Sequence, residues 1–269
     1  MTRLVVTGAT GRMGQTLCRL IESNPDCALV GATASASNPA VGRAAPSVLG
    51  LPEATFQLTA ELHQCAAPDV VIDFTLPSAL SAHLSACVSL GCPIVVGTTG
   101  LTDAHQQMLD TAAQQIAVLW APNMSVGVAL LQQLVEQATR ALGPGYDVEV
   151  LEMHHRHKVD APSGTALALG EAAARGLNRN LAAHAVYGRE GAEGPRDANT
   201  IGFATLRGGD VIGEHTVYLA GQGERVAIGH TASTRETFAH GAIRAAQWLQ
   251  TQPVGRYDMQ DMLGLKPST

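Results

Sequence analysis

Leu4-Val5-Val6-Thr7-Gly8-Ala9-Thr10-Gly11-Arg12-Met13-Gly14 is the stretch that decides the fold. A β-branched run, a glycine-spaced loop and a helix-like stretch from Gln15 to Ser23 predict strand, tight turn and helix start in succession. In that setting glycines permit the sharp turn and bring backbone N–H groups and a helix N-terminus against a pyrophosphate. The spacing is G-x-x-G-x-x-G, a departure from the commoner G-x-G-x-x-G of dinucleotide folds. A glycine-rich turn with no ligand is the competing reading, and two later segments weigh against it. Gly97-Thr98-Thr99-Gly100 and Ala121-Pro122-Asn123-Met124 each follow a predicted parallel strand, at the carboxyl edge where open α/β sheets bind ligands.

Outward from this stretch, the first half alternates apolar runs with helix-like segments. The runs are Ala28–Val30, Val70–Ile72, Pro93–Val96 and Ile116–Leu119; the helices are Pro77–Leu90 and Thr102–Gln115. Strands that read as continuously apolar, separated by helices, predict a parallel sheet covered on both faces, a doubly wound (Rossmann-like) α/β domain. After a long helix over Val126–Leu142 the pattern changes. Strands are predicted at Val148–Met153, Gly202–Leu206, His215–Leu219 and Arg225–His230, with one clear helix, Thr165–Gly176, among them. This half reads as an α+β unit on a mixed, open, largely exposed-faced sheet. Tyr187–Asn199, rich in Gly, Arg and Glu, reads as a loop. A closing helix over about Thr237–Leu249 is expected to rejoin the first domain, giving a dinucleotide-binding domain from 1–124 and 235–269 around a substrate-binding and oligomerisation domain, 125–234.

With 269 residues, 46% hydrophobic and 15% charged, the chain is long enough for two domains and too apolar for disorder. A net charge of −6 argues against non-specific binding to nucleic acid or to an anionic membrane. Cys18, Cys27, Cys65, Cys87 and Cys92 are odd in number and lack metal-type spacing, so they read as reduced core thiols. Met1-Thr2-Arg3 runs straight into a strand, and no apolar run approaches a membrane span, so cytoplasm is the expected address.

The cofactor's identity turns on the end of the second strand. Dinucleotide folds that prefer NAD place an acidic residue about 20 residues beyond the glycines. Here Ala32-Thr33-Ala34-Ser35-Ala36 occupies that region, with Arg12 and Arg43 as nearby cations, so NADPH is favoured and NADH remains open.

A second motif runs from Glu152 to Ala166: Glu-Met-His-His-Arg-His-Lys-Val-Asp-Ala-Pro-Ser-Gly-Thr-Ala. Its dense cationic and imidazole side chains create a local positive field suited to a carboxylate substrate. Only Lys158 and Lys266 are lysines among 17 Lys and Arg residues, and an ammonium, unlike a guanidinium, gives up a proton when partly desolvated. Ser163 is a natural N-cap, and the first-turn N–H groups at Gly164 and Thr165 suit a carboxylate. Metal binding by the three histidines and a solvated loop without a role are competing readings; without a nearby Cys or a helical i, i+4 pair, no metal is expected. His63, His83, His105, His184, His215, His230 and His240 stand singly and read as surface or capping histidines.

On these residues the chain resembles the 4-hydroxy-tetrahydrodipicolinate reductase (dihydrodipicolinate reductase) family. The resemblance rests on Val6–Met13, Asp73-Phe74-Thr75, Gly97–Gly100, Asn123–Val128, His154–Ala166 and Thr200–Ala204, and spans essentially the whole chain. It implies that Gly8, Ala9, Thr10, Gly11, Arg12, Met13, Gly97, Thr98, Thr99, Ala121, Pro122, Asn123 and Met124 contact the dinucleotide, with Ser35 at the ribose end. It implies His154 as proton donor or acceptor, Lys158 as proton donor, and His155, Gly164 and Thr165 as contacts for a small dicarboxylate substrate. A homotetramer joined through the second domain's sheets is also implied. Several family members carry an acidic residue and Arg near Ser35-Ala36, a point where this chain departs. Two other functions stay open from the residues alone: an amino-acid dehydrogenase of similar architecture, and a dinucleotide sensor without turnover.

Overall fold

The computed structural model describes residues 1–191 and 194–266. In chain order, β1 (Thr2–Thr7), α1 (Arg12–Glu22), β2 (Cys27–Ala32), α2 (Ala45–Leu49), β3 (Val70–Asp73), α3 (Leu80–Leu90), β4 (Ile94–Val96), α4 (Asp103–Ala112) and β5 (Ala117–Trp120) come first. α5 (Val126–Leu142), β6 (Asp147–His154), α6 (Gly164–Gly176), α7 (Leu181–His184), β7 (Ala185–Val186), β8 (Ile201–Arg207), β9 (Gly213–Ala220) and β10 (Arg225–Ala232) follow. α8 (Glu236–Leu249), β11 (Gly255–Tyr257) and α9 (Met259–Met262) close the chain. Two compact units result: Met1–Val126 with the segment from Glu236 onward, and Gly127–Arg235.

The first unit is built on a six-stranded sheet ordered β11-β5-β4-β3-β1-β2, every pair parallel. Its strands are apolar on both sides because helices cover both. Val5, Val71, Ile94, Val96 and Val118 face Leu80, Leu84 and Cys87 of α3 and Leu109 and Ala112 of α4, while α1 and α8 pack on the other face. Strand order reverses between β1 and β3, which leaves a crevice at their carboxyl ends, the usual ligand position in such sheets.

In the second unit a five-stranded mixed sheet runs β10-β9-β6-β8-β7, with β6 parallel to β8 and antiparallel to β9. Strict alternation along β6 buries Val148, Val150, Glu152 and His154 on one face. Ala166, Leu169, Ala172 and Ala173 of α6 pack against the apolar end of that face. The opposite face keeps Leu206 47% exposed, with Leu151, Met153 and Tyr218 only half-buried, in keeping with the open sheet expected.

Several elements differ from the sequence expectation. α1 begins at Arg12, three residues before Gln15, because the glycine loop itself winds into the first turn with Gly11 as N-cap. Pro77–Ala79 form a 3-10 turn ahead of α3, and Thr102 caps α4 from outside. α7 is a second short helix in the half where one was expected. In the predicted loop Tyr187–Asn199, Ala192 and Glu193 lie outside the described residues; the rest carries no helix or strand. All five cysteines are free, four of them buried.

Candidate active site

The glycine loop has the shape that its spacing suggests. Gly8 sits at φ +64°, a conformation costly for a residue with a Cβ, and the Gly11 N–H donates to its carbonyl at 3.0 Å. A Cβ at Gly14 would lie 2.2 Å from the Gly8 carbonyl, so helix and loop touch backbone to backbone. Gly11 makes no side-chain cap on α1, and Arg12 and Met13 occupy positions whose N–H groups have no carbonyl within the helix. Exposed N–H groups at a helix start behind a tight glycine turn are the arrangement that accepts a pyrophosphate in dinucleotide folds.

Asp73, fully buried at the end of β3, braces the other side of the switch point. It accepts hydrogen bonds from Thr7 Oγ1 at 3.0 Å, from Thr75 N at 2.9 Å and from Thr75 Oγ1 at 2.7 Å, and pairs with His83 Nδ1 at 3.0 Å. Burial pushes its carboxyl up, but the His83 hydrogen bond and charge, with both threonines, outweigh this and hold it below the usual carboxylate range. His83 is thus a bracing residue and not the surface histidine expected. Thr75 in turn receives Thr98 Oγ1 on its carbonyl at 3.3 Å.

Of the other residues expected at the dinucleotide, Ala9 and Thr98 are buried, while Thr99, Pro122, Arg12 and Ser35 are exposed. Gly97 packs against the Phe74 ring, and the Ala121 N–H donates to Val96 at 3.2 Å. Asn123 Oδ1 accepts from Ser125 N at 2.9 Å. Met124 is 1% exposed, so its side chain belongs to the core and a ligand contact there falls to its backbone. Beyond β2, Ser35 and Ser37 hydroxyls lie 3.2 Å apart, and Asn38 donates to Thr10 Oγ1 at 3.1 Å; no carboxylate stands between.

The second motif splits between strand and turn. His154 closes β6 with its side chain on the buried face, and residues 155–163 then turn into α6 through a cis Ala161-Pro162 bond. Ser163 caps α6, accepting from Ala166 N at 3.1 Å, which puts Gly164 and Thr165 in the first turn. A Cβ on Gly164 would meet nothing within 4 Å. His155 lies tilted against His157 with ring centres 6.2 Å apart, and Lys158 is ion-paired with Asp160 at 2.8 Å.

Around His154 the sheet brings together residues far apart in sequence. Its Nδ1–H donates to Glu152, and the His215 ring meets it edge-on at 5.0 Å. A Cβ on Gly213 would lie 3.0 Å from His154 Nε2, so that glycine leaves the nitrogen room. Burial lowers the His154 pKa and the Lys158 and Arg207 charges lower it further, while Glu152 opposes them; the net direction is down. Burial, then the His154 charge, pushes His215 down to about 4. His215 is 4% exposed and bonded to Ser163 Oγ at 3.2 Å, a correction to its reading as a surface histidine. His105, in contrast, does cap α4.

Glu152, His154 and His215 could offer a metal three ligand atoms within 4.8 Å of one another. The Arg207 fork, however, donates to both Glu152 oxygens, at 3.0 and 2.9 Å, so a cation there would stand beside a guanidinium. The cluster is thus a hydrogen-bonded network of a carboxylate, a guanidinium and two imidazoles. None of Glu152, Arg207 and His215 was assigned a role from the sequence; the one available signal was Glu152 two residues before His154, on the same strand face.

Comparisons with known proteins place the chain in a family. A family model described as "Dihydrodipicolinate reductase, N-terminus" matches residues 2–124, and "Dihydrodipicolinate reductase, C-terminus" matches 127–263. A protein of Thiobacillus denitrificans named 4-hydroxy-tetrahydrodipicolinate reductase is 48% identical over 98% of this chain and 99% of its own. One of that name from Alkalilimnicola ehrlichii is 51% identical over 98% of this chain and 99% of its own. Among solved structures, dipicolinate-bound dihydrodipicolinate reductase from Paenisporosarcina sp. TG-14 superposes with a TM-score of 0.76 at 24% identity, covering 97% of this chain and 98% of that one, a likeness of fold.

Proposed function

The chain belongs to the dihydrodipicolinate reductase family, and from that premise we propose the following division of labour for its two units. It reduces 4-hydroxy-tetrahydrodipicolinate (dihydrodipicolinate) to tetrahydrodipicolinate on the diaminopimelate route to lysine. The unit formed by 1–124 and 235–269 holds the dinucleotide, and 125–234 holds the substrate and the oligomer contacts. The observation that carries this is the placement of His154 at the buried end of β6 with Lys158 in the turn that follows, close enough for its charge to act on the imidazole.

The cradle of Gly8, Ala9, Thr10, Gly11, Arg12 and Met13 suits a pyrophosphate, with Gly97, Thr98, Thr99 and Ala121 to Met124 completing the site along the carboxyl edge. A reduced nicotinamide, when bound, supplies the hydride. His154 and Lys158 hold the proton that completes the reduction, and His155, Gly164 and Thr165 bind the substrate carboxylates. NADPH is the favoured dinucleotide, NADH a second one, because Ser35 and its neighbours offer hydroxyls in place of an acid that would repel a 2′-phosphate. A homotetramer is supported by the half-open outer face of the second unit's sheet. Five free thiols suit the reducing cytoplasm. Among the described residues no helix is long and apolar enough to cross a membrane.

Lys158→Arg tests the assignment. Arginine keeps the charge but holds its proton near neutral pH. In an assay with freshly generated substrate and each cofactor in turn, kcat falls by about 10² to 10⁴ if Lys158 donates a proton. A rise in KM with kcat retained would reduce Lys158 to a substrate anchor.

A further inference from the structure

Strand register makes the Glu152 carboxylate a junction. β6 pairs Glu152 with Thr205 on β8 and with His215 on β9, and pairs His154 with Arg207. Glu152 is 1% exposed, and its two oxygens are saturated by donors. Oε2 accepts His154 Nδ1–H and Arg207 Nη1; Oε1 accepts Arg207 Nη2 at 2.9 Å, Thr205 Oγ1 at 3.2 Å and Ser163 N at 3.2 Å. The same Arg207 Nη2 donates to the Asp160 carbonyl at 2.6 Å, and Asp160 Oδ1 pairs with Lys158 Nζ at 2.8 Å. One continuous path therefore joins the His154 imidazole to the Lys158 ammonium through Glu152, Arg207 and Asp160.

We propose that Glu152 and Arg207 are positioning residues for the reaction: Glu152 fixes the tautomer of His154 so that Nε2 exchanges the proton with substrate, and Arg207 locks that carboxylate to the turn bearing Lys158. This rests on the assignment of His154 and Lys158 above. A carboxylate can only accept, so the ring nitrogen facing it carries a proton in both charge states of the imidazole. Whatever proton the imidazole exchanges is then the one on Nε2: when that N–H bond breaks towards substrate the ring is left neutral with Nδ1–H still on Glu152, and Lys158 can restore the proton to the pair from its ammonium. A retained hydrogen bond means that ring orientation survives the transfer. Arg207 supplies two parallel donors, a geometry that lysine cannot reproduce.

The groups facing His154 are Glu152 on its own strand, Arg207 on β8, His215 on β9 and Lys158 with its partner Asp160 in the turn. Of these, only Glu152 bears a negative charge directly on the ring; His215 is neutral near pH 7. Removing the Glu152 charge therefore favours neutral His154 and moves its titration to lower pH.

Glu152→Gln keeps the shape and one acceptor oxygen while deleting the charge. The expected result is a kcat reduced at least about tenfold at neutral pH, with the His154 limb of the kcat/KM profile displaced to lower pH and the NADPH dissociation constant unchanged. Glu152→Asp, which restores the charge, returns the limb towards its wild-type position. Arg207→Lys is read alongside and decides the matter if Glu152→Gln does not fold: a kcat loss of at least about tenfold with unchanged NADPH binding supports the path, and wild-type kcat overturns it. An unmoved limb in Glu152→Gln, or a loss of activity equal at every pH, also overturns the proposal and leaves Glu152 a structural residue. His154→Gln separates the two levels. If it costs kcat while Glu152→Gln and Arg207→Lys do not, only this inference fails; if it costs nothing, the assignment beneath it fails as well.

Discussion

His215 shows how a single buried side chain couples the site to acidity. Its pKa stands at about 4 in the fold against an ordinary value of 6.5, so between these limits the unfolded chain binds a proton that the native state refuses. The contribution to stability is therefore complete above pH 6.5 and is lost as pH falls towards 4. Between pH 7 and pH 5 this amounts to about 2 kcal/mol. His215→Gln, which cannot titrate, should show a correspondingly smaller loss of unfolding free energy over that interval, followed by urea denaturation at both pH values; equal losses would mean that His215 does not titrate as the fold implies. Residues of this kind are hard to read from a chain. Lys158 and His154 declared themselves through cation density, and Ser163 through its place before a helix. Glu152, Arg207 and His215 meet only because β6, β8 and β9 align in one register, and a lone histidine in an alternating strand carries no mark of which face it occupies.

Among the elements, α8 depends on a missing side chain. A Cβ on Gly241 would fall 1.8 Å from the carbonyl oxygen of Met124, so helix and loop are in direct backbone contact within the first unit. Gly241→Ala should cost at least about 1 to 3 kcal/mol by overpacking, and by shifting Asn123-Met124 should also weaken NADPH. Urea midpoints and calorimetric titration check the two effects; an unaltered midpoint would show that the loop yields freely. Long periodic helices were plain in the sequence, and α5 runs over the expected residues. The glycine loop was legible as a turn, but the start of α1 was not, because Arg12 to Gly14 lack the apolar spacing that announces a helix. β11 escaped altogether. Gly255-Arg256-Tyr257 has no β-branched residue and becomes a strand only through its pairing with β5.

For the whole molecule, the outer face of the second sheet is the natural test of assembly. Leu206, almost half exposed there, is flanked by Met153 and Ala204, and Leu206→Glu should lower the sedimenting mass while leaving NADPH binding intact. A variant that sediments as the wild type does would move the oligomer contact elsewhere. Division into a continuous unit and a discontinuous one was visible only as the return of a closing helix. Its deeper consequence concerns the order in which the chain is made. The second unit has every strand it needs once residue 232 has left the ribosome, whereas the first, begun earlier, stays without the edge partner of β5 until residues 255–257 emerge. The half that is begun first is thus the last to be finished, and the inserted unit has its complete sheet while the surrounding one is still waiting for its final strand.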